Sequence, residues 1–337
     1  MKLETRTVNF FQYCVLAAVA SLGFLGPCAV RGAGASDADV PYERRRDVVY
    51  GRKFGPALTM DVLNPKEGRN GAAVVFVVNS AFISSQGHID PALPFQMELL
   101  RRGYVVFMVV TSSQPKFTLP EIVTDVHRAV RFIRHHGRDA FGIDPDRIGV
   151  TGASAGGMLA LYQGVAGELE NPSPATADDP VERASSRVRA VACFCPCTDW
   201  LNYGRPGLDV TDPESSLSPW LNAAFDFHEL DPEKNIYVRI TDAEAIRRIK
   251  HDMSPINHVS ADDPPMLIIH GSVDTAVPIE QSRRFIDKLA AVDVPAQLVV
   301  REGESHNWKT RVDDVSIIAD WFDKHLKPAG SAADVQE

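Results

Sequence analysis

Ser154 lies at the centre of Gly152-Ala153-Ser154-Ala155-Gly156-Gly157, between a short apolar run and the helix-forming run Leu159-Ala160-Leu161-Tyr162. A serine hydroxyl is a weak nucleophile until a neighbouring base takes its proton. A strand that ends, turns sharply and enters a helix would hold such a serine exposed above a sheet. Glycines at 152, 156 and 157 would remove the clashes of that turn. The helix start behind Ser154 presents unpaired N–H groups and a partial positive charge, which suits a developing oxyanion. A serine N-cap in a glycine-rich turn has the same local sequence, so the pentapeptide alone leaves nucleophile and cap both open.

Two further residues complete a chemical set. Asp274 lies in His270-Gly271-Ser272-Val273-Asp274, and His306 lies in Gly303-Glu304-Ser305-His306-Asn307-Trp308. A histidine takes and returns the serine proton, while an aspartate orients the imidazole and stabilises its charged form. Each residue alone has a plainer reading: a cap, a turn residue, a solvated loop histidine. Together, in the order Ser, Asp, His and each just beyond a strand, they read as one site. The other histidines fit less well. His270 stands where a strand meets a turn and reads as structural. His127, His135, His136 and His325 fall in helices, and His228, His251 and His258 fall in an irregular stretch. His88 is a weaker candidate for substrate contact. Asp262 and Asp263 precede a strand, at its far end.

The elements that must carry these residues follow from periodicity. Residues 72–78 and 104–110 are continuous apolar runs rich in β-branched residues, as expected of strands buried on both faces. Further strands are expected at 46–50, 58–63, 147–151, 188–194, 265–270 and 296–300. Helices are expected at 94–102 ending at Gly103, at 120–136 stopped by Gly137, at 279–291 and at 312–326. Residues 168–187 read as an exposed polar loop. Strands alternating with helices imply a mostly parallel eight-stranded sheet with helices on both faces. Ser154 then follows the fifth strand, Asp274 the seventh and His306 the eighth, all on the carboxyl edge where open sheets of this kind bind ligands. Residues 199–263, after the sixth strand, break the alternation. Their length and aromatic content, with Trp200, Tyr203, Trp220, Phe225, Phe227 and Tyr237, predict an insertion covering the site.

Composition sets the outer bounds. Hydrophobic content of 45% and charged content of 23% place the chain among ordinary globular proteins. A net charge of −9 with interspersed signs excludes the basic face of a nucleic-acid binder. Lys2 and Arg6, an apolar run at 10–25 and the small-residue pattern Ala33-Gly34-Ala35 predict a signal peptide over 1–35 and a secreted or periplasmic domain over 36–337. The apolar run is short for a membrane span, so no stable span is expected after cleavage. Of five cysteines, Cys193, Cys195 and Cys197 would remain. Their spacing places them on one face of a strand. With no C-x-x-C pair and no histidine adjacent in sequence, they read as apolar packing rather than a metal site. Neither a metal nor a cofactor is expected.

From about residue 72 to 326 the chain resembles the α/β-hydrolase superfamily. It is most similar to the esterase/lipase branch with the feruloyl-esterase-like and acetyl-esterase-like domains, close to the prolyl-oligopeptidase catalytic domain. The resemblance rests on Phe141-Gly142-Ile143-Asp144-Pro145-Asp146-Arg147-Ile148 leading to the Ser154 turn. It rests also on Ser254-Pro255, Asp263-Pro264-Pro265, His270-Gly271 with Asp274, Val277-Pro278, and Gly303 with His306. It implies the α/β-hydrolase fold, Ser154 as nucleophile, Asp274 as acid, His306 as base and an acyl-enzyme. The implied substrates are small-molecule or carbohydrate-linked carboxylic esters. An exopeptidase related to prolyl oligopeptidase and a silent binding protein are the alternatives. One departure stands out. Where the family carries His-Gly-Gly-Gly-Trp, this chain reads Val78-Asn79-Ser80-Ala81-Phe82. The expected oxyanion donors are the amide of Ala155 and those of Ser80 and Ala81, since any residue but proline supplies an N–H.

Overall fold

The computed structural model describes residues 40–166 and 177–327. The expected signal peptide, and residues 168–176 of the polar loop, lie outside the described residues. Among the described residues ten strands follow in chain order: β1 (Tyr42–Arg52), β2 (Ala57–Pro65), β3 (Ala73–Val78), β4 (Val105–Val110), β5 (Ile148–Ala153), β6 (Ala190–Phe194), β7 (His228–Asp231), β8 (Ile236–Arg239), β9 (Met266–Gly271) and β10 (Ala296–Arg301). The main helices are α1 (Met97–Arg101), α2 (Leu119–His136), α3 (Ala155–Ala166), α4 (Ala243–Asp252), α5 (Glu280–Ala290) and α6 (Val315–Leu326).

Eight strands form one sheet in the order β1-β2-β4-β3-β5-β6-β9-β10. β2 runs antiparallel to both β1 and β4, and the other neighbours pair in parallel. The parallel strands are covered on both faces, and the period of two sorts their side chains. Val75 and Val77 of β3 pack in one core with Val126 of α2, Met158 of α3 and Phe285 of α5. Val74 and Val78 pack in the other with Leu99 of α1 and Ile318 and Phe322 of α6. Each α-β crossover brings the chain back to the same edge, so the loops after β5, β9 and β10 gather there. Among the described residues no helix is long and apolar enough to cross a membrane.

Two local expectations need correction and a third needs refinement. The helix expected at 94–102 is interrupted: Pro94 lies in a single tight turn, Leu93–Gln96, and the α-helix starts only at Met97. The long helix ends at His136 with Gly137 as its C-cap, as expected, but Gly137 stays right-handed with φ −54°. The chain continues through a wide turn, Gly137–Phe141, and ends at Gly142 with φ 64°. Gly137 is needed for another reason: a Cβ there would stand 2.9 Å from Ile143 Cγ1. The three cysteines do not share a face. β6 ends at Phe194, and Cys195 takes φ 38°. That turn sends Cys195 into the core with α6, while Cys193 and Cys197 pack in the opposite one.

Residues 199–263 run between β6 and β9 and contain the β7–β8 hairpin and α4. Trp200, Tyr203, Phe225 and Phe227 are buried, so these aromatics serve packing. Trp200 and Phe225 each meet Phe82 edge-on, with ring centroids 5.9 and 6.4 Å away, which ties the segment to the loop after β3. Trp220 and Tyr237 stay largely exposed.

Candidate active site

Ser154 occupies the junction of β5 and α3 with φ 55°, a left-handed conformation that costs a non-glycine residue energy. The surroundings hold it there. Its N–H donates to the Phe194 carbonyl at 2.9 Å, and its own carbonyl receives the Met158 N–H at 2.8 Å. The turn closes only because its flanks are glycine: a Cβ on Gly152 would lie 2.4 Å from the Gly156 carbonyl oxygen, and one on Gly156 would lie 2.6 Å from the Val77 carbonyl oxygen. The second contact draws the start of α3 against the end of β3.

The structure brings the three residues singled out from the sequence into one hydrogen-bonded chain. His306 Nε2 lies 3.0 Å from Ser154 Oγ, and His306 Nδ1 lies 2.6 Å from Asp274 Oδ2. A carboxylate accepts, so Nδ1 carries the proton and Nε2 is free to accept from the hydroxyl. Asp274 is fixed from behind. Its Oδ1 accepts from the Ala276 and Val277 amides at 2.9 and 2.8 Å, and its Oδ2 lies 3.2 Å from Nε2 of His270. His270 is fully buried and held between Ser282 Oγ at 2.6 Å and the Val277 carbonyl at 2.9 Å.

These contacts set the electrostatics. Burial raises the Asp274 carboxyl, but hydrogen bonds from His270 and His306 outweigh it and hold the group well below the usual carboxylate range. Burial disfavours the His306 imidazolium. The nearby Cys195 sulfur and the Asp274 carboxylate favour it and prevail, so His306 titrates above an ordinary histidine. A hydroxyl, an imidazole and a buried carboxylate in this order can move the serine proton to His306 as the oxygen attacks a carbonyl.

Around this chain lie residues that the sequence did not single out. Arg311 Nη1 donates to the His306 carbonyl at 3.2 Å and to Asn307 Oδ1 at 3.1 Å. Its guanidinium stands 5.4–5.9 Å from the ring centroids of Phe95, Phe194 and Trp308. Cys195 Sγ approaches the same carbonyl of His306 at 3.8 Å. The one sequence signal was spacing, since His270 precedes Asp274 by four residues across a tight turn. The remaining histidines stand apart from this chain of contacts. His127 is buried in α2, bonded to Gln163 at 2.8 Å, and burial lowers it to about 4. Burial also lowers His88, whose Nδ1 has no partner among the described residues.

The loop in place of the expected glycines is a tight turn. Ser80 and Ile83 exchange both backbone hydrogen bonds, at 3.0 and 2.8 Å, with Ala81 at φ 50° and Phe82 at φ 58° between them. This corrects the expectation for Ser80: its amide is committed to the Ile83 carbonyl. The amides of Ala81, Phe82 and Ala155 have no acceptor among the described residues. Two left-handed non-glycine residues require outside support. Phe82 is buried against Trp200 and Phe225, and the Gln114 amide donates to its carbonyl at 2.9 Å. The Gln114 side chain donates to the carbonyls of Ala81 and Trp220, so it joins this turn to the 199–263 segment.

A mostly parallel sheet in this order, with Ser, Asp and His on loops at its carboxyl edge, defines an α/β-hydrolase. The BD-FAE family model matches residues 60–289, and the chain belongs to the BD-FAE family. Its relatives include the probable carboxylic ester hydrolase LipM of Mycobacterium tuberculosis, 28% identical over 74% of this chain and 53% of the relative. Esterase LipC of the same organism is 30% identical over 74% of this chain and 56% of its own length. The chain thus spans about half the length of the curated relatives it matches. Among solved structures, a truncated carbohydrate esterase from gut microbiota shares the fold with a TM-score of 0.67. It is 23% identical over 85% of this chain and 98% of that one.

Proposed function

We propose that this chain is a serine hydrolase that cleaves carboxylic esters through an acyl-enzyme on Ser154. The observation that carries the reading is the alignment of Ser154 Oγ, His306 and Asp274 at 3.0 and 2.6 Å. His306 Nε2 takes the hydroxyl proton as Oγ attacks the ester carbonyl, then returns it to the leaving alcohol. Water repeats the sequence and releases the acid. The Ala155 amide at the start of α3 and the Ala81 amide of the tight turn serve the tetrahedral oxyanion. The ester hydrolase names of its family relatives support the bond type.

The substrate reading is short-chain or carbohydrate-linked esters, handled by a mature protein exported after cleavage behind Ala35. The test is a panel of p-nitrophenyl esters, acetylated sugars and aminoacyl anilides. Acetyl esters are expected to turn over fastest. Faster cleavage of aminoacyl anilides would move the chain to the exopeptidase reading, and no turnover on any of them would favour the silent binding protein. N-terminal sequencing of exported protein is expected to begin at Ser36, and a start before the apolar run would refute export by cleavage.

A further inference from the structure

We propose that Cys195, Asp274 and His306 also form a binding site for a soft divalent cation of the zinc class, and that its occupation switches the protein off. The sequence spoke against a metal because no histidine stands near Cys195 in the chain. The fold supplies one from 111 residues away. A ligand atom from each residue, a sulfur, a carboxylate oxygen and an imidazole nitrogen, lies within 4.8 Å of the other two.

Three features make this more than proximity. The donor set is mixed sulfur, nitrogen and oxygen, which suits zinc and disfavours magnesium or calcium. Bonds of about 2.0–2.3 Å place tetrahedral zinc ligands about 3.5 Å apart; His306 Nδ1 and Asp274 Oδ2 stand 2.6 Å apart and all three ligand atoms lie within 4.8 Å of one another, so shifts of about 1 Å seat an ion. The Cys195 backbone adopts a left-handed φ of 38° at the end of β6, a strained conformation that turns the thiol away from its two neighbouring cysteines and under His306. Of the three side chains, His306 is the one that reaches solvent, 17% exposed, while Asp274 and Cys195 are sealed. Binding sends the thiol proton to solvent and leaves a thiolate on the ion.

Either imidazole nitrogen leads to the same result. An ion on Nε2 occupies the lone pair that faces Ser154 Oγ. An ion on Nδ1 displaces the proton shared with Asp274. In both cases His306 can no longer act as base. This consequence rests on the ester hydrolase reading, whereas the binding itself does not.

The experiment therefore has two arms. In the first, purified full-length protein is titrated with Cd2+ alone and followed by ultraviolet sulfur-to-metal charge transfer. A single equivalent is expected, with the band kept in Cys197→Ala and lost in Cys195→Ser. Should Cys195→Ser fail to fold, His306→Ala keeps the thiol and removes the nitrogen. Outer-shell changes alone cost roughly 10–100-fold in metal affinity, so loss of this direct ligand is expected to cost more. In the second arm, Zn2+ is expected to inhibit ester turnover reversibly on chelation, with Cys195→Ser at least about tenfold less sensitive. A band that persists in Cys195→Ser, unweakened cadmium binding in His306→Ala, or equal zinc sensitivity in both proteins overturns the proposal. A cysteine-dependent band without any ester turnover would instead refute the hydrolase reading and leave the metal site standing.

Discussion

His270 and His306 approach the same oxygen: Oδ2 of Asp274 lies 3.2 Å from Nε2 of the first and 2.6 Å from Nδ1 of the second. Asp274 is therefore clamped between a fully buried imidazole and the one that reaches Ser154. His270→Gln is expected to lower kcat by about 10–100-fold, the worth of one charged hydrogen bond, with KM little changed. A KM effect with unchanged kcat would mean that His270 shapes the pocket instead of holding Asp274.

Removing the charge of Asp274 is a harsher change. Asp274→Asn keeps the shape but offers Nδ1 of His306 a choice of donor or acceptor, so the wrong tautomer becomes accessible. A loss on the order of 10⁴ in kcat is expected, with the fold intact by circular dichroism. A loss below tenfold would show that Asp274 is only a turn residue.

The sign of the pH dependence follows from His306. Only the neutral imidazole accepts the Ser154 proton, and this imidazole is raised above the ordinary value of 6.5. The kcat/KM profile should rise with pH through a pKa above 6.5 and plateau beyond it. Asp274→Asn removes one source of the upward shift, so its limb should move to lower pH. A wild-type limb at or below 6.5 would contradict the environment described for His306.

The turn at 80–83 makes its own prediction. Ala81 sits at φ 50°, where a Cβ costs about 1–2 kcal/mol, while glycine loses roughly 0.5–1 kcal/mol of chain entropy. Ala81→Gly should be neutral or stabilising by up to about 1.5 kcal/mol in thermal unfolding, with activity retained. Ser80→Ala should cost little, because only its backbone takes part in the turn. Ala81→Pro deletes an expected oxyanion donor, worth roughly 10²–10³ in turnover, and also forces φ negative. Its activity is read only if unfolding shows the fold retained. A large loss in Ser80→Ala would assign the donor to the serine hydroxyl.

Much of this architecture was legible in the sequence because it rests on local signals. The run at 72–78 could only be a doubly covered strand, and the glycines around Ser154 only made sense in a turn with close backbone contacts. What the sequence does not report is backbone geometry set by the folded surroundings, and one cluster drawn from distant segments. The spacing of Cys193, Cys195 and Cys197 predicts one shared strand face, but a single left-handed residue at Cys195, just past the end of β6, turns it into the opposite core. Gly137 caps the long helix without a left-handed turn, and its missing side chain leaves room for Ile143. The Ser80 amide is not a free donor, and no local pattern reports that Ile83 folds back onto it. Arg311 carries no motif at all. Its place under His306 is set by three aromatic rings from three separate stretches of chain.

The central claim is that Ser154 is a nucleophile activated by His306. The most direct measurement is labelling with a fluorophosphonate followed by peptide mass spectrometry. One adduct is expected, on Ser154, formed quickly by the wild-type protein, absent in Ser154→Ala and slowed severely in His306→Ala. Labelling of Ser154→Ala at the wild-type rate, or wild-type protein that stays unlabelled while folded, would contradict it.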